Sequence, residues 1–347
     1  MKGQFKTYPL LAPLSFLYRL AMAVRNLCYD KDILSGRTFG FPVISVGNIT
    51  VGGTGKTPHV QYLIDILDGN GNTAVLSRGY GRSTKGFILA DKDTDARAIG
   101  DEPLQISRLF PNVTVAVDED RVHGIEMLSS RGIDTVILDD AFQHRSVRPS
   151  LNILLVDWNR NILDDMVMPA GRMRESASGR KRADIIIFTK CPAGLDCSVM
   201  DKASARIAVR ENQKVFFTTF KYESLRAMKK GSEVAANPPI LVMAGIARPQ
   251  PMVDYMRTFS NQVELIQFPD HHSFSRSDID RISASVNSMG ADAIIVTTEK
   301  DEARLKGMDL PEQLKKRIFI LPIKVALVRE QELFDSIILE HVKSFKH

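Results

Sequence analysis

The stretch FPVISVGNITVGGTGKTPHV, Phe41 to Val60, reads as a buried strand, a glycine-rich turn and the opening of an amphipathic helix. That succession is the layout of a phosphate-binding P-loop. Backbone N–H groups of Thr50, Val51, Gly52, Gly53, Thr54 and Gly55, with the positive helix N-terminus, cradle a polyphosphate. Lys56 reaches the outer phosphates, and the Thr57 hydroxyl is placed to ligate Mg²⁺. The usual pattern, G-x-x-x-x-G-K-[ST], has glycine where this chain has Thr50. Gly52, Gly53 and Gly55 keep the turn flexible, so the segment reads as a variant P-loop.

Beyond it, Val60, Leu63, Ile64 and Leu67 repeat at the spacing of a helix with one buried face. Short apolar runs then recur at 73–77, 113–117, 135–138, 151–156 and 184–188, separated by helical or polar stretches such as 102–110 and 121–130. Near-continuous apolar strands between helices predict a mostly parallel sheet covered on both faces. A second series starts near Pro238, with PPILVMAGI, VELIQF, AIIVTT and RIFILPI as its strands. The expected architecture is α/β: a P-loop NTPase-like, mostly parallel sheet sandwiched by helices, with a second, smaller α/β domain. The expected bounds are an N-terminal helix in 1–30, the P-loop domain in 31–215, a polar linker in 216–238 and the smaller domain in 239–347.

With 347 residues, 44% hydrophobic and 25% charged, the chain has the composition of a globular protein, which disfavours disorder and a membrane-embedded fold. The net charge of +5 suits a protein meeting anionic lipid or phosphorylated substrate. Its basic residues are scattered among acids, which gives a nucleic-acid role little support. Cys28, Cys191 and Cys197 lack metal-type spacing and point to a reducing compartment. The apolar segment from Pro9 to Tyr29 is broken by Arg19 and Arg25, too short an apolar run to span a bilayer. At helical spacing it has a narrow polar face, Ser15, Arg19 and Asn26, and a broad apolar one. Such a helix suits a membrane interface, with its arginines reaching the headgroups, or a packed position against the protein body.

Five further segments carry chemistry. TVILDDAFQHR, 135–145, resembles a Walker B strand whose terminal Asp139 holds Mg²⁺. Adjacent strand residues face opposite ways, so Asp139 and Asp140 reach the same site only if the strand ends between them. Asp101 of GDEP, before the helical segment LQISRLF, reads from sequence as a helix cap with Pro103 in the first turn. Asp270 and His271 of FPDHH are either an acid–base pair or solvated turn residues. Arg174 and Glu175 of PAGRMRES, and Arg78 and Tyr80 of SRGYGR, lie in basic loops able to meet phosphate.

Taken in order, VGNITVGGTGKTP, SRGYGR, GDEP, LDDAFQH, PAGRMRE, FPDHH and VTTEKD resemble the tetraacyldisaccharide 4'-kinases of lipid A biosynthesis. The resemblance implies ATP and Mg²⁺ as cofactors and an acylated glucosamine disaccharide 1-phosphate as substrate. It implies phosphorylation at the 4'-hydroxyl to form lipid IVA, at the cytoplasmic face of the bacterial inner membrane. It implies that Asp101 and His271 activate the sugar hydroxyl, with Asp270 beside His271. Arg174 and Glu175 are expected near the phosphates and metal, with Asp140, Gln143 and His144 lining the site. Two rivals stand beside this reading. A P-loop GTPase would carry N-K-x-D near Thr189-Lys190-Cys191-Pro192, where the asparagine and aspartate are missing. A peripheral membrane protein switched by ATP would bind nucleotide without phosphorylating a sugar lipid.

Overall fold

The computed structural model describes residues 8–207, 210–270 and 272–345. The P-loop strand β1 (Val43–Gly47) lies in the middle of a nine-stranded sheet. Its companions are β2 (Thr73–Ser77), β3 (Ile88–Leu89), β4 (Thr114–Val117), β5 (Thr135–Asp139), β6 (Leu151–Asp157), β7 (Ile185–Thr189) and β8 (Lys214–Tyr222). The last member is β14 (Ile323–Leu327), and the order is β14-β8-β7-β6-β1-β5-β2-β4-β3. The seven strands from β8 to β4 run parallel, and an antiparallel strand closes each edge.

Helix α1 (Ala12–Asp30) precedes the sheet, and α2 (Lys56–Leu67) follows the P-loop. Then come α3 (Ala96–Ile99), α4 (Asp101–Leu109), α5 (Arg121–Ser129) and α6 (Cys197–Ile207). Alternate residues of β1 feed opposite cores. Ile44 and Val46 pack with Val60, Leu63 and Leu67 of α2 on one face, while Val43 joins Ile125 and Leu128 of α5 on the other. Burial on both faces explains why these strands read as continuous apolar runs.

The second unit holds β9 (Arg226–Ala227), β10 (Ile240–Ala244), β11 (Val263–Gln267), β12 (Ile294–Thr297) and β13 (Ile318–Ile320), ordered β11-β10-β12-β13-β9. Around it lie α7 (Gln250–Met256), α8 (Arg276–Ser288), α9 (Glu299–Leu305) and α10 (Glu312–Arg317). The stretch expected as a linker, 216–238, is structured differently. It begins inside β8, which pairs with β14, so two antiparallel strands carry the chain out of the large sheet and back. Helix α11 (Gln331–Lys343) then buries Phe334, Ile338 and Val342 in the core that holds α2. The C-terminal residues therefore return to the P-loop unit, and the second unit ends near residue 321. The sequence of β8 looked polar because this strand lies one place in from the sheet edge, beside β14, and leaves Lys214 and Lys221 exposed.

Candidate active site

Strand β1 ends at Gly47, and the loop that follows turns at Gly52 and Gly55, with φ of 114° and 91°. Gly55 is the residue before α2, and a Cβ there would meet the Phe220 ring at 2.6 Å. Thr50 has no such positive φ; it is buried in an antiparallel bridge to Met173, which is why glycine is not required there. Asn48 donates its side-chain amide to Thr54 Oγ1 at 2.7 Å, holding the loop from within. The PAGRMRES tract is laid along the loop: Val51 N–H donates to Arg172 O at 2.7 Å and Arg174 N–H to Ile49 O at 2.8 Å.

The segment weighed as a failed guanine reader turns out to brace this loop. Thr189 Oγ1 donates to Thr54 O at 2.8 Å, and Lys190 Nζ donates to Gly53 O and pairs with Asp157 at 2.8 Å. Sequence reasoning looked there for base recognition and so missed a mechanical role.

At the end of β5 the strand does stop between the two acids. Asp139 is its last residue, and Asp140 turns away with a φ of 52°. Asp140 lies 3.5 Å from Lys56 Nζ and 3.1 Å from Arg174 Nη1. Burial would raise its carboxyl, but Lys56 and Arg174 outweigh that and hold it below the ordinary range. Asp139 is the opposite case. It is buried, its Oδ1 has no hydrogen-bond partner among the described residues, and burial with repulsion from Asp140 pushes its carboxyl up to about 7. An orphaned buried carboxylate oxygen at the end of a Walker B strand fits a divalent cation, as the Thr57 hydroxyl at the start of α2 does.

Glu175, expected near the metal, is instead saturated by protein. Both oxygens accept from Arg182, at 2.8 and 2.9 Å, and further bonds come from Gln143 at 3.0 Å and Asn26 at 3.2 Å. Gln143 also accepts from Arg174 at 3.3 Å, which puts it between the two acids' partners. His144 is held near pKa 4 by burial and by the charges of Arg121 and Arg78, so it is neutral. Arg121 was not singled out in the sequence, because an arginine opening a helix looks like any surface cation. It is fully buried, it donates to Asp118 O, and its Nε and Nη2 find no partner among the described residues. Burial lowers it to about 10, with Asp139 as the largest opposing charge.

The SRGYGR loop packs on the GDEP loop. A Cβ at Gly79 would stand 2.8 Å from Ile99 O, and one at Gly100 would stand 2.9 Å from Tyr80 O. Arg78 and Tyr80 are exposed above this contact. The second unit meets the same place. Arg304 donates to Asp101 at 2.6 Å, and Lys300 lies 3.2 Å from Glu102 and 3.1 Å from Asp270. His271 lies outside the described residues, while Asp270 before it is thus brought to the GDEP loop.

Helix α1 docks by its polar side. Ser15 Oγ accepts from Ala170 N–H at 2.8 Å, Tyr18 donates to Arg174 O at 3.0 Å, and Arg25 donates to Gln143 O at 2.9 Å. Leu14, Phe16, Leu17, Leu20, Val24 and Leu27 are each more than half exposed, and Arg19 is exposed too. Among the described residues no helix is long and apolar enough to cross a membrane. A cavity of about 450 Å³ opens beside the end of α1. Its arginines are already paired, Arg145 with Asp30, Arg148 with Asp32 and Arg182 with Glu175, and we place no chemistry there.

Residues 7–343 match the model of the tetraacyldisaccharide-1-P 4'-kinase family. The chain is similar to the tetraacyldisaccharide 4'-kinase of Bacteroides thetaiotaomicron, 42% identical over 97% of this chain and 94% of that one. It is 40% identical to the one from Flavobacterium johnsoniae over 96% and 97% of the two chains. The solved structure of LpxK from Aquifex aeolicus in complex with ATP superposes with a TM-score of 0.74 at 29% identity, covering 96% of this chain and 99% of that one.

Proposed function

The chain belongs to the tetraacyldisaccharide-1-P 4'-kinase family, whose members phosphorylate the 4'-hydroxyl of tetraacyldisaccharide 1-phosphate, and we propose how its residues divide that work. The P-loop amides of 50–55 and Lys56 hold the phosphates of ATP. Thr57 and Asp139 hold Mg²⁺, which neutralises phosphate charge when bound. Asp140 and Arg174 fix Lys56 and the transferring group. Asp101 and His271 take the proton from the sugar 4'-hydroxyl as its oxygen attacks the γ-phosphorus, and ADP leaves. Glu175 is left out of the metal shell, because its oxygens already carry Arg182, Gln143 and Asn26.

The single observation that carries this division is the orphaned Asp139 oxygen beside the Lys56–Asp140–Arg174 cluster. We also propose that the enzyme works at the cytoplasmic face of the inner membrane. The outward apolar face of α1 supports contact with the lipid surface where its amphiphilic substrate resides. Transfer of labelled γ-phosphate from ATP to tetraacyldisaccharide 1-phosphate in detergent, with Mg²⁺, tests the nucleotide site. Lys56→Ala is expected to lower kcat by about 10²-fold or more. Equal labelling by wild type and variant would remove Lys56 from the reaction, and labelling from GTP as fast as from ATP would reopen the GTPase rival.

A further inference from the structure

We propose that Arg304 is a positioning residue, reaching across from the second unit to fix the carboxylate of Asp101 for catalysis. The proposal rests on the reading of Asp101 as part of the proton-accepting pair. Asp101 stands on the first turn of α4, in the P-loop unit, and Arg304 on α9, in the other. Nη2 and Nε of Arg304 both donate to Asp101 Oδ2, at 2.6 and 3.1 Å. The remaining nitrogen, Nη1, donates to Asp301 Oδ1 at 3.0 Å and to Gly245 O at 3.4 Å. Every nitrogen of the guanidinium is therefore engaged, and its side chain is only 6% exposed.

The support behind it is equally fixed. Asp301 is fully buried, and its Oδ2 accepts from Gly245 N–H at 2.9 Å and from Thr298 Oγ1 at 2.8 Å. A Cβ on Gly245 would stand 2.8 Å from Asp301 Oδ1, so a bare backbone is what lets this carboxylate sit under the arginine. One turn earlier, Lys300 ties Glu102 to Asp270. The VTTEKDEAR segment thus sends two cations onto consecutive carboxylates of the GDEP loop, and one of them also holds the loop that leads into His271.

A carboxylate that acts on a proton must present one oxygen in a fixed direction. Two donors of one rigid, planar fork on Oδ2 set the orientation of the whole group, which a single lysine bond does not do. Because the fork comes from the other unit, contact between the two units helps to orient the carboxylate.

The test is steady-state phosphoryl transfer by the full-length protein, with ATP and tetraacyldisaccharide 1-phosphate in detergent. Asp101→Ala, Arg304→Gln, Arg304→Lys and the Asp101→Ala/Arg304→Gln double variant are compared with wild type, with thermal melts alongside. Arg304→Gln is expected to lose roughly 10–100-fold in kcat while KM for ATP stays within about twofold, since the phosphates are held by the other unit. Arg304→Lys should recover part of that loss. The double variant should be no slower than Asp101→Ala alone, because the arginine acts through the aspartate. Wild-type kcat in Arg304→Gln, or losses that multiply in the double variant, would overturn the proposal while leaving Asp101 in place. Full activity in Asp101→Ala would instead remove the underlying reading, and the proposal with it. Should Arg304→Gln melt below the assay temperature, Arg304→Lys decides: an undiminished kcat with one bond in place of the fork rules out positioning.

Discussion

A carboxylate at the end of a fully buried strand is destabilising unless a cation or a donor comes to it, and among the described residues Asp139 Oδ1 has no hydrogen-bond partner. Its neighbour shows what satisfaction looks like. Asp140 turns out of the strand at φ 52° and meets Lys56 and Arg174, whereas Asp139 stays in the strand and faces repulsion from Asp140. Replacing it by asparagine should therefore separate function from stability. Asp139→Asn is expected to abolish transfer in the labelled-phosphate assay yet to raise Tm by roughly 2–4 °C in the absence of Mg²⁺ and nucleotide. A lower Tm would mean that the fold already satisfies this carboxylate, and the metal role would lose its main support. The run of apolar residues before two acids was legible in the sequence. The left-handed turn that sends both acids to one site was not, because strand alternation places them on opposite sides.

At the scale of elements, α1 is an amphipathic helix mounted backwards relative to an ordinary surface helix. Its polar side carries the bonds of Ser15, Tyr18, Arg25 and Asn26 to the 140–145 and 170–175 segments, and its leucines face outward. The period of the helix could be read from sequence, but which side faces the protein could not. That choice depends on partners more than a hundred positions away, such as Glu175 and Ala170. For the same reason β8 escaped recognition: its neighbours β7 and β14 come from distant parts of the chain. The outward face gives a direct expectation. Burying one leucine side chain is worth about 2 kcal/mol, so Leu17→Glu with Leu20→Glu should weaken binding to anionic phospholipid vesicles at least ~100-fold. Flotation with vesicles measures this, and kcat on substrate dispersed in detergent should hardly change. Unaltered flotation would show that α1 does not carry the membrane contact.

Over the whole molecule, the two units are joined by the β8–β14 ribbon and by the face that α4 presents to α9. Arg108 donates to Ala303 O at 2.7 Å across that face, beside the Asp101–Arg304 and Glu102–Lys300 pairs. A small cavity of about 80 Å³ remains there, lined by Gln105, Arg108, Arg226, Glu299, Glu302 and Lys306. Burial pushes Glu299 up to about 7, against the attraction of Arg226 and with repulsion from Glu302. The unfolded chain gives this carboxyl a value near 4.5. Between those values the folded protein binds more protons than the unfolded one, so stability falls as pH rises from about 4.5 through 7. An amide at this position escapes that loss. Glu299→Gln should thus leave Tm nearly unchanged at pH 5, where the wild-type carboxyl is already protonated in the fold, and raise it at pH 8. Melting curves of both proteins at the two pH values measure the difference. An equal shift at both would show that Glu299 contributes through packing and that its charge is not set against the contact between the units; a drop confined to pH 8 would show that the charged form holds them together.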